Sequence, residues 1–271
     1  HSTAASALVH SHASPPLSFI STVWFLIIFA LVGKILALCT VSVAGPTAAA
    51  LWFIPDALIA YHLFVPRAQG LVRSCRYFKT DRREVWLTID DGPDPDDTPR
   101  ILELLKINRA KATFFVVGRN AELHPALIRA IRDAGHEIGH HTHTHPVGTF
   151  WCASPQRLAR ELDRGLAVLN SLGVIVRRFR SPVGIKNLRL ASALAKRRLE
   201  CVGWSARGLE LTGGDATTVA KRVLRRVRPG SILLLHEGPP LPASLRVEAI
   251  RLTLKRLEEA GYRCVIPNPQ G

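Results

Sequence analysis

Charge is scarce at the start of this chain. No Lys, Arg, Asp or Glu precedes Lys34, and the only other one before Arg67 is Asp56, so the first quarter differs in kind from the rest and two dissimilar parts are implied. Residues 1–16 are small and polar and lack the cationic opening of a cleaved signal peptide, which leaves a loose tail. Methionine is missing altogether, the initiator included, and the chain is expected to lack its true start or to begin at an unusual point. The five cysteines (Cys39, Cys75, Cys152, Cys201, Cys264) are odd in number, scattered and without a Cys-x-x-Cys pair. That argues against a structural zinc or a redox centre and for free thiols.

What fills the uncharged stretch is Leu, Ile, Val, Ala and Phe. A membrane span needs about 20 residues, and Gly45-Pro46 divides the stretch into residues 17–44 and 47–66, a candidate transmembrane helical hairpin. A buried hairpin of a soluble protein, or one long signal anchor, would carry the same composition. Lys34 and Asp56 lie equally far from Gly45 along the chain, hence both about 16 Å from the turn. A charge inside a bilayer is costly unless paired, so the two are expected to face each other across the hairpin. Arg67, Arg73, Arg76, Lys79, Arg82 and Arg83 crowd the segment that follows, a basic linker over residues 67–83. The positive-inside rule points that end to the cytoplasm but is statistical and leaves the orientation open; in either orientation such a linker would hold an anionic bilayer surface.

The net charge is +15, and from Glu84 onward 29 Lys and Arg still stand against 19 Asp and Glu. Such a field favours anionic partners: phospholipid headgroups, acidic glycans, lipid-linked sugar phosphates or nucleic acid. Residues 217–227 read as a helix in which Lys221, Arg222, Arg225 and Arg226, continued by Arg228, make one basic stripe. No motif that reads RNA or DNA accompanies it.

Five of the eleven histidines fall in the stretch from His136 to His145. Imidazoles four residues apart on a helical turn face one side, and His141 and His145 have that spacing. A zinc-like ion wants a third ligand, often a carboxylate. Upstream, the apolar run Val85-Trp86-Leu87-Thr88-Ile89 stops at Asp90-Asp91-Gly92-Pro93. Adjacent residues of an extended chain point opposite ways, so one carboxylate can ligate a metal while the other stays free as a base. The plain alternative is that Asp90-Asp91 opens a turn and the histidines are an accidental polar cluster.

Beyond Glu84 short apolar runs alternate with amphipathic ones. Helices are expected at 98–106, 124–134, 155–172, 187–198, 217–227 and 244–260, and strands at 111–117, 176–180, 200–204, 231–236 and 263–266. Repeated β-then-α units imply a largely parallel sheet with function at the carboxyl ends of its strands, where Asp90, Arg180 and His236 fall.

The motifs Thr88-Ile89-Asp90-Asp91-Gly92-Pro93, His141-Thr142-His143-Thr144-His145-Pro146, Arg180-Ser181-Pro182-Val183-Gly184 and Leu233-Leu234-Leu235-His236 follow in the order and spacing of one family. Over residues 84–267 the chain resembles the NodB-type polysaccharide deacetylases, carbohydrate esterase family 4. The resemblance implies an α/β fold, the irregular (β/α) barrel of that family, here over residues 84–271 and preceded by the transmembrane helical hairpin. It implies a metal held by Asp91, His141 and His145, with Asp90 as the base on water and Arg180 pairing that base. Val183 matches the residue whose backbone N–H binds the oxyanion, and His236 the general acid. Zinc suits two histidines and an aspartate best on ligand grounds, although other divalent ions fit.

Four departures from the family pattern stand out. His140 replaces an Asn, Val183 an aromatic residue and Glu237 an Asp. After Trp204-Ser205 the usual acids and Trp are replaced so that Arg207, Glu210 and Leu211 fall at their places. Glu210 is the expected partner of His236. The implied activity is removal of an acetyl or formyl group from an amino sugar, in a polysaccharide or a lipid-linked glycan. The expected location is a bacterial inner membrane, spanned twice. The rival reading is a catalytically inactive membrane-tethered module that binds anionic polymer or a membrane surface.

Overall fold

The computed structural model describes residues 17–40, 42, 45–240 and 242–268; the expected tail, residues 1–16, lies outside them. The uncharged stretch forms two helices, α1 (Leu17–Thr40) and α2 (Gly45–Phe64), packed as a hairpin. Both are long and apolar enough to cross a membrane. The helices meet closely where Gly33 faces Leu51 O, the carbonyl whose helical donor Pro55 removes; a Cβ on Gly33 would lie 2.7 Å from that oxygen. One residue further on, Lys34 Nζ sits 2.8 Å from both carboxylate oxygens of Asp56, the pairing expected from their depth.

The remaining strands are β1 (Glu84–Asp90), β2 (Ala112–Val116), β3 (Glu137–His140), β4 (Arg178–Phe179), β5 (Glu200–Cys201), β6 (Ala206–Arg207), β7 (Ile232–His236) and β8 (Arg263–Cys264). All pair in parallel, in the order β5-β4-β3-β2-β1-β7-β6, with β8 also on β1. The sheet curls into the half-barrel of the expected fold class. Its helices are α3 (Thr98–Ile107), α4 (Gly118–Leu123), α5 (Pro125–Asp133), α6 (Pro155–Ser171), α7 (Leu190–Ala195), α8 (Ala216–Leu224) and α9 (Ala243–Glu259). Pro in the first turn starts α3, α5 and α6, and the Ser154 hydroxyl caps α6 by accepting from Arg157 N–H.

Strand β1 lies at the middle of the sheet, and its near-continuous apolar sequence follows from burial on both faces. One core packs β1, β2 and β7 against Ile101 and Leu105 of α3, Ile128 and Ile131 of α5, Val219 of α8 and Ile250 of α9. A second core joins Phe150, Leu162, Phe179 and Leu190 to Leu26 of α1 and Leu63 of α2, so the hairpin is docked on the barrel wall. Each such side chain buried contributes about 2 kcal/mol. The barrel also meets the C-terminal end of α2: Lys186 N–H donates to Leu63 O of the last turn at 2.8 Å, and Lys186 Nζ donates to Val65 O at 2.9 Å and Pro66 O at 3.0 Å just beyond it. Residues 67–83, expected as a linker, also enter the barrel. Leu71, Val72 and Phe78 are buried, and Cys75 and Tyr77 bridge to Val202 and Ser231 across the gap between β5 and β7.

Two local expectations are corrected. α8 stops at Leu224, and the basic stripe disperses: Arg222 folds back to donate to Gly213 O at 2.7 Å, while Arg228 stacks over the Tyr77 ring. The strands near residues 176–180 and 200–204 pair over only two residues each, at the end of the sheet where β5 has a neighbour strand on one side alone.

Candidate active site

Three strand ends, those of β1, β7 and β4, carry the chemistry. The register of β1 against β7 sets Asp90 opposite His236, and Arg180 follows β4 directly. Arg180 is fully buried and donates to Asp90 Oδ1 at 2.6 Å, Thr88 Oγ1 at 2.7 Å and Gly203 O at 2.8 Å. A buried ion pair is tolerable only when its other donors are met, and these contacts meet them. Asp90 is thereby fixed in one orientation, with Oδ2 turned to His141 Nε2 at 3.7 Å.

Beside it, His141 Nε2 and His145 Nε2 stand 3.4 Å and 3.3 Å from Asp91 Oδ1. One ligating atom from each of Asp91, His141 and His145 lies within 4.8 Å of the other two. The helical turn expected for the two histidines is not formed. β3 ends at His140, and Thr142 and His145 adopt φ of 65° and 53°, so reversals of the backbone bring the rings to 4.9 Å between centroids. Glu161 of α6 pins this loop, accepting from His143 N–H at 3.0 Å, Thr144 N–H at 2.9 Å and the Thr144 hydroxyl at 2.6 Å.

Chemistry of the donor set fits a divalent cation. His141 Nδ1 lies 2.7 Å from Arg180 O, a contact that only a protonated Nδ1 makes, so Nε2 is the ring nitrogen turned to the cluster. Asp91 Oδ1 is buried and has no hydrogen-bond partner. Burial opposes ionisation of Asp91, yet the His141, His236 and His145 rings hold its pKa at about 2. Burial pushes His145 down to about 4, whereas at His141 burial is outweighed by the Asp90 and Asp91 carboxylates, which raise its pKa, and a bound cation would displace that proton. An anionic carboxylate and a neutral imidazole are the forms that ligate a metal.

On the opposite wall His236 Nδ1 sits 3.1 Å from Glu210 Oε1. Burial would depress this imidazole, but the Glu210 carboxylate more than offsets it and raises the pKa to about 9. Glu210 opens the 3-10 turn Glu210–Thr212, immediately after Leu209 with φ of 57°. Arg207, at the other acidic place of that motif, is exposed on β6 and faces a neighbouring cavity. Val183 occupies the 3-10 turn Pro182–Gly184 with φ 47° and ψ 17°, a region that costs an L residue about 1–2 kcal/mol. Asp91, Thr142, His145, Val183 and Leu209 all have positive φ. Strained backbone is thus concentrated around one cavity of about 610 Å³, lined by Asp90, Asp91, His141, His145, Val183 and His236.

The departures His140 and Glu237 lie behind the cavity wall. His140 is buried with neither ring nitrogen bonded, edge-on to Phe179 and against Gly165; burial pushes its pKa down to about 3. Glu237 is buried and accepts from Thr98 Oγ1 at 2.5 Å; burial, with Asp97 and Asp94 nearby, pushes it up to about 8. A Cβ on Gly92 would overlap the Glu237 carboxyl, which explains the glycine there. Sequence reasoning missed Glu161, Trp204 and Asn120, whose Nδ2 donates to Asp91 O at 2.9 Å. Glu161 and Asn120 sit in unexceptional helices, and no spacing marks them.

The fold and this cluster define a class that comparison with known proteins makes specific. Residues 78–202 match the family model for polysaccharide deacetylase. A chitooligosaccharide deacetylase of Sinorhizobium fredii is 37% identical over 162 residues, 59% of this chain and 75% of that protein. A peptidoglycan-N-acetylglucosamine deacetylase of Bacillus cereus is 33% identical over 186 residues, 68% and 67% of the two chains. A solved peptidoglycan N-acetylglucosamine deacetylase superposes with a TM-score of 0.65 at 32% identity, covering 70% of this chain and 88% of that one. A pseudoenzyme of the CE4 family from Bacillus anthracis superposes at 0.62 with 26% identity, covering 70% and 65%. The chain belongs to the polysaccharide deacetylase family, the NodB or CE4 group.

Proposed function

We propose that this protein is a metal-dependent hydrolase that removes the N-acetyl group from an amino sugar in a glycan, anchored in a membrane by the hairpin of α1 and α2. The observation that carries the reading is the convergence, in one cavity, of an arginine-clamped Asp90, the Asp91–His141–His145 cluster and the Glu210-backed His236. A divalent ion bound by Asp91, His141 and His145, zinc on ligand grounds, would supply a nucleophilic water near neutral pH and polarise the amide carbonyl. Asp90, held in orientation by its contact with Arg180, accepts the proton of the attacking water. The backbone N–H of Val183, fixed by its left-handed turn, donates to the developing oxyanion. His236 holds its proton through neutral pH because of Glu210 and passes it to the departing amine, which leaves as a free amino sugar. The relatives' printed names, chitooligosaccharide and peptidoglycan deacetylases, support an N-acetylglucosamine-type unit.

Acetate release from acetylated chitooligosaccharide and peptidoglycan, measured with metal content, tests this. Asp90→Asn abolishes turnover and keeps the metal, whereas His141→Ala loses both. Full activity in Asp90→Asn, or no metal and no acetate in the unmodified protein, refutes the mechanism; the latter result favours an inactive binding module.

A further inference from the structure

A second cavity, of about 270 Å³, adjoins the catalytic one, and Trp204 lines both. Its other walls bring four arginines together from three parts of the chain. Arg67 and Arg76 come from the segment leaving the hairpin, Arg207 from β6, and Arg226 from just beyond α8. No carboxylate lines it, and among the described residues none of the four arginines forms an ion pair. Arg67, Arg207 and Arg226 are exposed, and Arg76 is held in place by donating from Nε to Trp204 O at 3.2 Å. Four like charges gathered without counter-charge repel one another, and an arriving phosphoryl group would relieve that repulsion through charge-assisted bonds.

The position of this cavity is as informative as its charge. Val65 and Pro66, the residues directly after α2, complete its wall, and Lys186 fixes their carbonyls to the barrel. Gly184, next to the proposed oxyanion residue, has no room for a Cβ because Pro66 and the Trp204 ring close on it. The end of the hairpin, the arginines and the catalytic cavity therefore form one continuous run. α1 and α2 leave large apolar side chains uncovered above it, Phe53, Ile54, Leu58 and Phe64 on α2 alone.

We propose that the arginine cavity binds the phosphate or diphosphate of the molecule whose acylated amine sits between Asp90 and His236, so that the substrate is an N-acylated amino sugar joined through phosphate to a lipid. The inference rests on the deacylase reading and adds the substrate class. The sugar crosses Trp204, the phosphate lies among Arg67, Arg76, Arg207 and Arg226, and the lipid chain follows the hairpin into the bilayer.

The test uses the full chain in detergent micelles. Acetate release is measured from N-acetylglucosamine diphosphate carried on a short polyprenol and from neutral chitotetraose, for the unmodified protein and for Arg207→Gln/Arg226→Gln. Loss of two charged donors lowers the ratio of kcat/KM, phosphorylated over neutral, by about tenfold or more, through KM. Inorganic pyrophosphate competes with the phosphorylated substrate alone. An unchanged ratio in the variant, whether both activities hold or both fall together, overturns the proposal. So does a variant that loses only binding to vesicles of anionic phospholipid, which would make the cavity a headgroup site. If the unmodified protein releases no acetate from either compound, the deacylase reading fails by itself. Equilibrium binding of the polyprenol diphosphate sugar then still decides whether Arg207→Gln/Arg226→Gln weakens phosphate recognition.

Discussion

Replacing Glu210 by Gln removes one charge and little volume, and its effect is calculable because the carboxylate touches His236 at 3.1 Å. In the unmodified protein that carboxylate outweighs burial and lifts the imidazole from 6.5 to about 9. Without it burial is opposed only by the more distant Asp90 and Asp91, and the pKa falls to about its ordinary value. A general acid works while protonated, so activity is lost as pH rises through its pKa. At about pH 8 the protonated fraction drops from about nine-tenths to a few hundredths, a loss of about thirtyfold in kcat/KM, whereas at about pH 6 the two enzymes differ by less than about twofold. The assay is the pH profile of kcat/KM for acetate release, with Glu210→Asp as the variant that restores the alkaline limb. An alkaline limb that stays put in Glu210→Gln, with activity lowered equally at every pH, would show that Glu210 acts through structure and not through the charge of His236.

Other outcomes follow from groups around the site and in the hairpin. Glu237 has a folded pKa raised from 4.5 to about 8. Its contribution is therefore neutral below its unfolded pKa and increasingly unfavourable as pH rises toward 8. Glu237→Gln should flatten that slope, adding up to roughly 3 kcal/mol at neutral pH and nothing at acid pH in urea unfolding; greater destabilisation at neutral than at acid pH would contradict it. Val183→Gly releases a left-handed valine and should raise stability by up to about 1 kcal/mol while lowering kcat, as the oxyanion turn loosens. A variant faster than the parent would remove Val183 from the mechanism. In the hairpin, Lys34→Leu and Asp56→Leu each strand a charge, and membrane integration should suffer more in either single variant than in the double. A double variant as impaired as the two singles combined would refute the pairing.

Legibility in the sequence followed the range of each interaction. β1 was readable because a strand buried on both faces must be apolar throughout, and the helices begun by Ser154-Pro155 and Thr98-Pro99 carried their own start signals. The pairing of Lys34 with Asp56 was readable because a hairpin fixes depth by counting. By contrast, β4, β5 and β6 each pair over two residues, too short for any periodicity, and their positions are set by long-range neighbours. The candidate ligands were found by residue type, but the way His141 and His145 meet was misread: four-residue spacing suggested a helix where left-handed turns do the work. Glu210 came from alignment to a motif it barely matches, and its contact with His236 depends on a turn no local rule anticipates. The arginine cavity was invisible, since its members are scattered along the chain and only the curl of the sheet assembles them.

The short bridge that Cys75 and Tyr77 make across the barrel has a consequence in time. During synthesis it emerges with the hairpin, well before its partners: the Arg76 side chain must wait 128 residues for Trp204, and Tyr77 longer still for Ser231. Contacts of such long sequence separation form late, after the loop between them has closed. The hairpin and its exit segment are therefore made while the barrel that will hold them does not yet exist; if the hairpin anchors the chain as proposed, it would enter the bilayer first, and the last act of folding would be to close the enzyme around a piece of its own leash. A version begun at Glu84 would discard that piece.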